Sequence, residues 1–147
     1  MNNTDILNQI EKLCGNATLL ENGWHHFVYH NLHYVNIPDC KNGMIRISIP
    51  HICMDGEYGR KKLEKVINET NREVKYIKVV ILENGSISLN YDHKISDEER
   101  ACDIVPHMIK TLCCASEYLL FKLQMQKKAR LFGYIFQNYD IKRQNQQ

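Results

Sequence analysis

The sequence has no long hydrophobic run: no stretch of about 18 apolar residues occurs in its 147 residues. A transmembrane helix is therefore not expected. The first residues, MNNTDILNQIEKLCG, include acidic side chains and lack the basic start and apolar centre of a signal peptide. We therefore expect a cytoplasmic protein that does not associate with a membrane.

Metal-binding and redox motifs are also missing, although the chain has six cysteines. No two of them form a C-x-x-C pair, and their wide scatter does not fit a zinc finger or a zinc ribbon. The adjacent Cys113 and Cys114 would point about 100° apart on a helix, so they could not readily form a disulfide with each other. We expect reduced, mostly buried thiols and no bound metal or cofactor.

Length and composition fit one globular domain, with 44% hydrophobic and 24% charged residues. The net charge of +2 conceals an uneven distribution, because residues 122–147 carry six basic residues and one acidic residue. That segment has a net charge of +5, and the rest of the chain has −3. We predict a single domain over 1–126 and a basic, aromatic-containing extension over 127–147, whose last residues are disordered.

Hydrophobic periodicity predicts a short helix over Asn3 to Leu13 and then strands. The stretches WHHFVYH and LHYVNIP are rich in aromatic and β-branched residues, with a reversal near His30 and Asn31. In MIRISIP every second residue is isoleucine, which is typical of a strand with one covered face. Pro50 is expected to end that strand because it lacks the N–H donor.

The second half predicts a helix from about Glu57 to Glu73 and then a hairpin, IKVVILENGSISLNYD. Its turn is Glu83-Asn84-Gly85, an Asn-Gly pair typical of hairpins. Ile77 and Ile87 are expected on the same, covered side of the sheet, and the serines of the returning strand on a largely wet side.

A long final helix is predicted to begin with a capping box, Ser96 at the cap and Glu99 three residues later. Pro106 lies well inside it and should kink it or force a second start. The predicted order is α-β-β-β-α-β-β-α. This describes an α+β fold with a five-stranded antiparallel sheet and the helices mainly on one face.

Three segments carry a resemblance to a known family: RISIP, LEKVINETNREVKYIKVVILENGSISLNYD and IVPHMIKTLCCASEYL. Together they make the chain similar, over about residues 20–123, to the YbjN-like group and the wider type III secretion chaperone-like fold. The resemblance implies helices on one side of a sheet, no enzymatic chemistry and a tendency to pair. It also implies binding to extended segments of partner proteins, or a regulatory role.

Two groups of side chains suggest chemistry, and each has a simpler interpretation. Four histidines between residues 25 and 33 include His26 and His30, and imidazoles converging from paired strands could bind zinc or copper. Partly exposed strand histidines explain them better, since neighbouring residues of one strand point to opposite faces. Cys53 with His51, or Cys102 and Cys113 with His107, could form a nucleophile and base, but core packing is favoured for the thiols.

The basic end of the chain also has two interpretations. Its aromatic residues could stack on bases while its lysines and arginines pair with phosphates. The same segment could instead dock on the domain or on a dimer partner with its charges in solvent. The chain-wide charge favours docking.

We therefore predict a non-enzymatic protein-binding or chaperone-like module, cytoplasmic and homodimeric, with a protein partner. The alternative is a small regulatory protein that contacts nucleic acid through its basic C-terminal segment. The candidate partner-contact residues are Trp24, Tyr29, Tyr34, Arg46, Lys78, Phe132, Tyr134 and Phe136.

Overall fold

The computed structural model describes the backbone of residues 1–145 and the side chains of residues 1–39 and 41–124. It confirms the α+β class. Two 3-10 turns, Cys40–Asn42 and Asp55–Glu57, flank the longest strand. The helices are α1 (Asn3–Cys14), α2 (Arg60–Glu73) and α3 (Ala101–Asn145), and the strands are β1 (Thr18–Leu19), β2 (His25–Tyr29), β3 (Leu32–Asp39), β4 (Met44–Met54), β5 (Ile77–Ile81) and β6 (Ser86–Lys94).

The strands form one antiparallel sheet in the order β1-β2-β3-β4-β6-β5. The predicted five strands are wrong, because the sheet has six. The additional strand is β1, in which Thr18 pairs with His26 and Leu19 with His25. A two-residue strand is too short to show alternation, so periodicity could not reveal it. The order is therefore α-β-β-β-β-α-β-β-α.

Both predicted hairpin reversals are confirmed. His30 and Asn31 join β2 to β3 with φ angles of 49° and 63°, the positive values that a two-residue hairpin turn needs. Between β5 and β6, Gly85 has a φ of 85°, and a Cβ there would lie 2.9 Å from the Asp55 carboxylate. Glycine is therefore required at this turn both by its backbone angle and by the close approach of Asp55.

Pro50 does not end its strand, which corrects the prediction. β4 continues through Pro50 to Met54. Its pairing with β3 reaches only to Ser48, so no hydrogen bond to β3 is needed at Pro50. On the other side the register with β6 shifts between Ile49 and Cys53. Pro50 thus lies in a bulge, where its missing N–H costs no ladder hydrogen bond.

The starts of α2 and α3 also differ from the prediction. α2 begins at Arg60 rather than near Glu57, because a 3-10 turn and Gly59, with a φ of 82°, precede it. α3 begins at Ala101 rather than at Ser96, since Glu99 is held in a turn before it. α3 then runs through Pro106 as one helix, so a second start is wrong.

The three helices pack on one face of the sheet and enclose the core. From α1 the core includes Ile6 and Ile10, and from α2 it includes Leu63, Val66 and Ile67. α3 contacts both other helices and strands β4, β5 and β6.

The predicted register of the last hairpin is confirmed. Ile81 pairs directly with Ile87, and Ile77 lies four residues before Ile81 on the same strand, so Ile77 and Ile87 share the covered face. Among the described residues, no helix is long and apolar enough to cross a membrane.

Candidate functional site

The side of the sheet away from the helices is formed by the alternate residues of the same strands. Val35 pairs with Ser48, Ser48 with Asn90, and Asn90 with Lys78, so these residues lie in one row across four strands. We call this surface the open face. Its central members are Val35, Ile37, Arg46, Ser48, Lys78, Ser88, Asn90 and Asp92.

Hydrogen-bonded polar side chains fill the centre of the open face. The hydroxyls of Ser48 and Ser88 both donate to the Asn90 side-chain oxygen, at 2.6 and 3.2 Å. Each serine is only 3% exposed. The centre of this face is therefore less exposed to solvent than predicted. Its small polar side chains are hydrogen-bonded to one another, and larger neighbouring side chains shield them.

A charge pair follows the serines along the open face. Arg46 lies directly opposite Asp92 and donates two hydrogen bonds to its carboxylate, Nε to Oδ1 at 2.5 Å and Nη2 to Oδ2 at 2.9 Å. The hydrogen bond to Asp92 raises the pKa of Arg46. Because the two side chains are 46% and 37% exposed, the pair contributes only about 0–1 kcal/mol to stability. Breaking this pair would therefore cost the folded protein little stability.

A groove lies beside this charge pair, with a volume of about 460 Å³. Its walls combine apolar side chains with three charged ones, and the charged members come from strands β3, β4 and β6. The lining residues are Ile37, Pro38, Asp39, Met44, Ile45, Arg46 and Asp92. A groove of this composition suits an amphipathic segment.

The histidine-rich hairpin brings two of its imidazoles together on the open face. Nε2 of His26 and Nδ1 of His33 are 2.8 Å apart, and the two rings are stacked. His25, by contrast, pairs with Asn36 on the covered side. The pair His26–His33 could not be predicted from the sequence, since the proximity of the two rings depends on the register of β2 with β3.

The outer edge of β5 is closed by Asn71, a side chain that no sequence motif indicated. The amide of Asn71, on α2, accepts a hydrogen bond from the Val79 N–H at 2.7 Å and donates one to the Val79 carbonyl at 3.0 Å. It thus takes the place of a neighbouring strand at the middle of β5. Such capping protects an edge strand from pairing with another chain.

The thiols considered as nucleophiles lie in different surroundings. Cys53 is buried on the covered face opposite Ile87, and burial raises its pKa to about 11. It stays protonated at neutral pH, which favours core packing over nucleophilic catalysis. Core packing, the favoured interpretation, is wrong for Cys102, which is exposed. His51, the proposed base beside Cys53, is bonded to the Ser86 hydroxyl at 2.9 Å.

The predicted partner-contact residues are not gathered at one place. Arg46 and Lys78 share the open face, whereas Tyr29 is half-buried on the covered side. Trp24, 36% exposed, lies in the turn before β2. Tyr34 has none of its surface exposed, so its selection as a contact residue is corrected: it belongs to the core. Phe132, Tyr134 and Phe136 lie outside the residues whose side chains are described.

Several solved structures share this architecture. The ExsC–ExsE complex matches with a TM-score of 0.61 and 10% identity, over 80% of this chain and 93% of that chain. The HopA1–SchA chaperone–effector complex matches with a TM-score of 0.58 and 9% identity, over 82% and 91%. An uncharacterized protein from Methanothermobacter thermautotrophicus matches with a TM-score of 0.57 and 15% identity, over 82% and 95%.

These matches establish a chaperone-like fold for the chain, as the resemblance implied. No protein-family model and no curated protein matches it. The narrower likeness to the YbjN-like group stays a prediction. At such low identities the likeness extends to the fold alone.

Proposed function

We propose that this protein is a non-enzymatic, chaperone-like module that binds a segment of a partner protein in the cytoplasm. The fold supports this, because two structures with the same architecture are complexes of two proteins, one of them a chaperone with its effector. The raised pKa of the buried Cys53 thiol removes one candidate nucleophile and agrees with a binding role.

The groove on the open face is the observation that carries the proposal. Its apolar wall includes Ile37 and Met44, and its charged rim includes Arg46 paired with Asp92. An amphipathic segment would place an apolar side chain against the wall and exchange one of its carboxylates for Asp92 at Arg46. Lys78, exposed on the same face, would add a second positive charge.

The test is quantitative capture of native partners with the full chain and with Arg46→Ala. The matched control is Lys65→Ala, which removes an exposed positive charge from α2 on the opposite side of the sheet. We expect a protein retained by the wild type and by the control to be reduced about tenfold by Arg46→Ala, a loss of about 1.4 kcal/mol. Equal retention by all three chains would contradict a site at the groove.

Binding to DNA and RNA at increasing salt distinguishes the alternative function. Phosphate contacts weaken steeply with salt, so nucleic-acid binding through the basic segment 127–147 would fall steeply as salt rises. We expect no such binding at physiological salt. A steep salt dependence, lost when the basic segment is removed, would replace the present proposal with the regulatory one.

We also propose that two copies pair, with α3 or an edge strand at the interface and the segment 127–147 near it. Phe121 on α3 is 60% exposed and Leu19 on β1 is 65% exposed, and both are apolar side chains that a second copy would cover. The body of the protein is then the single domain 1–126.

A further inference from the structure

One histidine, one cysteine and one glutamate meet at the end of the β2–β3 hairpin. One ligand atom from each of His30, Cys113 and Glu117 lies within 4.8 Å of the other two. The Cys113 thiol donates to Glu117 Oε1 at 3.7 Å. None of the three belongs to the open face or to its groove.

The fold brings these residues together from distant parts of the chain. Cys113 and Glu117 are four residues apart on α3, so they lie one above the other on one helix face. His30 occupies the first position of the β2–β3 turn, and its ring rests against Tyr29 with centroids 4.2 Å apart. The hairpin therefore presents an imidazole to this face of the helix.

The cluster combines an imidazole, a thiol and a carboxylate, three groups that can each supply a ligand atom to a metal ion. The Tyr34 hydroxyl lies beside the Cys113 thiol. That hydroxyl is fully buried and has no partner of normal hydrogen-bond geometry among the described residues. A cation would stabilise the thiolate and thereby give Tyr34 an acceptor.

We propose that His30, Cys113 and Glu117 form a three-ligand site for Zn²⁺, with its fourth position open to water. Imidazole, thiolate and carboxylate together suit zinc, whereas magnesium and calcium prefer oxygen ligands alone. Tetrahedral zinc with bonds of about 2.0–2.3 Å places its ligand atoms roughly 3.5 Å apart. The sulfur–oxygen distance of 3.7 Å is already close to this. His30 and Glu117 are exposed, so their side chains can close the remaining gap and an ion can enter from solvent.

The proposed site ties the hairpin to α3, and Tyr34 acts as a positioning residue. Its hydroxyl would donate to the metal-bound thiolate, a contact that holds a ligand in place without touching the metal. Tyr34→Phe is therefore expected to weaken zinc binding about tenfold. The same variant removes a buried hydroxyl that lacks a partner, so the metal-free protein should be as stable as the wild type or more stable.

The test uses the full chain prepared without metal and titrated with Co²⁺ as a spectroscopic substitute, then with Zn²⁺ in competition. We expect one Co²⁺ per chain with a thiolate-to-cobalt charge-transfer band that Zn²⁺ removes. Cys113→Ser should abolish the band, and Glu117→Gln should weaken binding at least about tenfold. His30→Asn should do the same while keeping the turn, because asparagine tolerates a positive φ.

Two controls match these variants. Cys114→Ser removes the adjacent thiol, which is exposed and is not a member of the cluster. His26→Asn removes a histidine of the same hairpin that is bonded to His33 instead. Both should bind Co²⁺ like the wild type. The absence of a saturable band, or a band that depends on Cys114 rather than Cys113, would overturn the proposal.

Discussion

Substituting Asn71→Ala removes the side chain that closes the outer edge of β5. The Asn71 amide bonds both backbone groups of Val79, the N–H at 2.7 Å and the carbonyl at 3.0 Å. These groups point away from β6, so in the variant they have only solvent as a partner. A net contribution of about 0.5–1.5 kcal/mol for each hydrogen bond gives a loss of about 1–3 kcal/mol.

Helix propensity acts in the opposite direction, and a matched variant removes this term. Alanine is favoured over asparagine in a helix by up to about 0.7 kcal/mol. Asn68 is exposed on the same helix, three residues earlier, so Asn68→Ala gains the same propensity and leaves the hydrogen bonds of Val79 in place. The difference between the two variants therefore reports the two hydrogen bonds.

Urea unfolding of the wild type and both variants measures this difference. We expect Asn68→Ala to be as stable as the wild type or slightly more so, and Asn71→Ala to be less stable than Asn68→Ala by about 1–3 kcal/mol. Asn71→Asp keeps the acceptor for the Val79 N–H but cannot donate to the carbonyl, so it should also destabilise. Agreement of the two alanine variants within about 0.5 kcal/mol would refute the capping role.

Two further predictions concern pH and assembly. Burial raises the pKa of Cys14 and of Cys53 from 9.0 to about 11. The folded chain holds these protons more tightly than the unfolded chain in that window, so the urea midpoint should fall as pH rises from 9 to about 11. Cys53→Ala should reduce the fall, and a constant midpoint would contradict the burial effect. Light scattering should give about twice 17.3 kDa for the full chain and a smaller mass for a chain that ends at Gln124. A monomeric full chain would refute pairing, and an unchanged dimer after truncation would refute the part assigned to the segment 127–147.

Features that depend on a few neighbouring residues could be predicted from the sequence. The alternation in MIRISIP identified β4, and the stretches around His30 and Asn31 identified the first hairpin and its turn. Gly85 identified the second hairpin, since few residues other than glycine adopt the positive φ of this turn. These signals are local, and together they were sufficient for the α+β class and for the covered side of β4, β5 and β6.

Local patterns gave the wrong result where a contact with a residue outside the pattern competes with them. Pro50 predicts the end of a strand, but the register shift against β6 gives it a bulge. Ser96 and Glu99 predict a helix start, but the Glu99 carboxylate also accepts from the His93 ring at 2.8 Å and holds a turn there. At Pro50 the decisive partner is another strand, and at Ser96 it is His93, which lies at the end of β6, six residues before Glu99.

The sequence by itself determined the α+β class, five of the six strands and the two hairpin turns, because each is encoded in the spacing of nearby residues. Only the tertiary structure decided which side chains meet. Arg46 and Asp92 are 46 residues apart in sequence, and Ser48 and Asn90 are 42 residues apart. Their contacts follow from strand register, and the meeting of His30 with Cys113 follows from the docking of a hairpin on a helix. Neither the register of the strands nor the docking of the hairpin on the helix can be predicted from a short segment, since both depend on how the whole core packs.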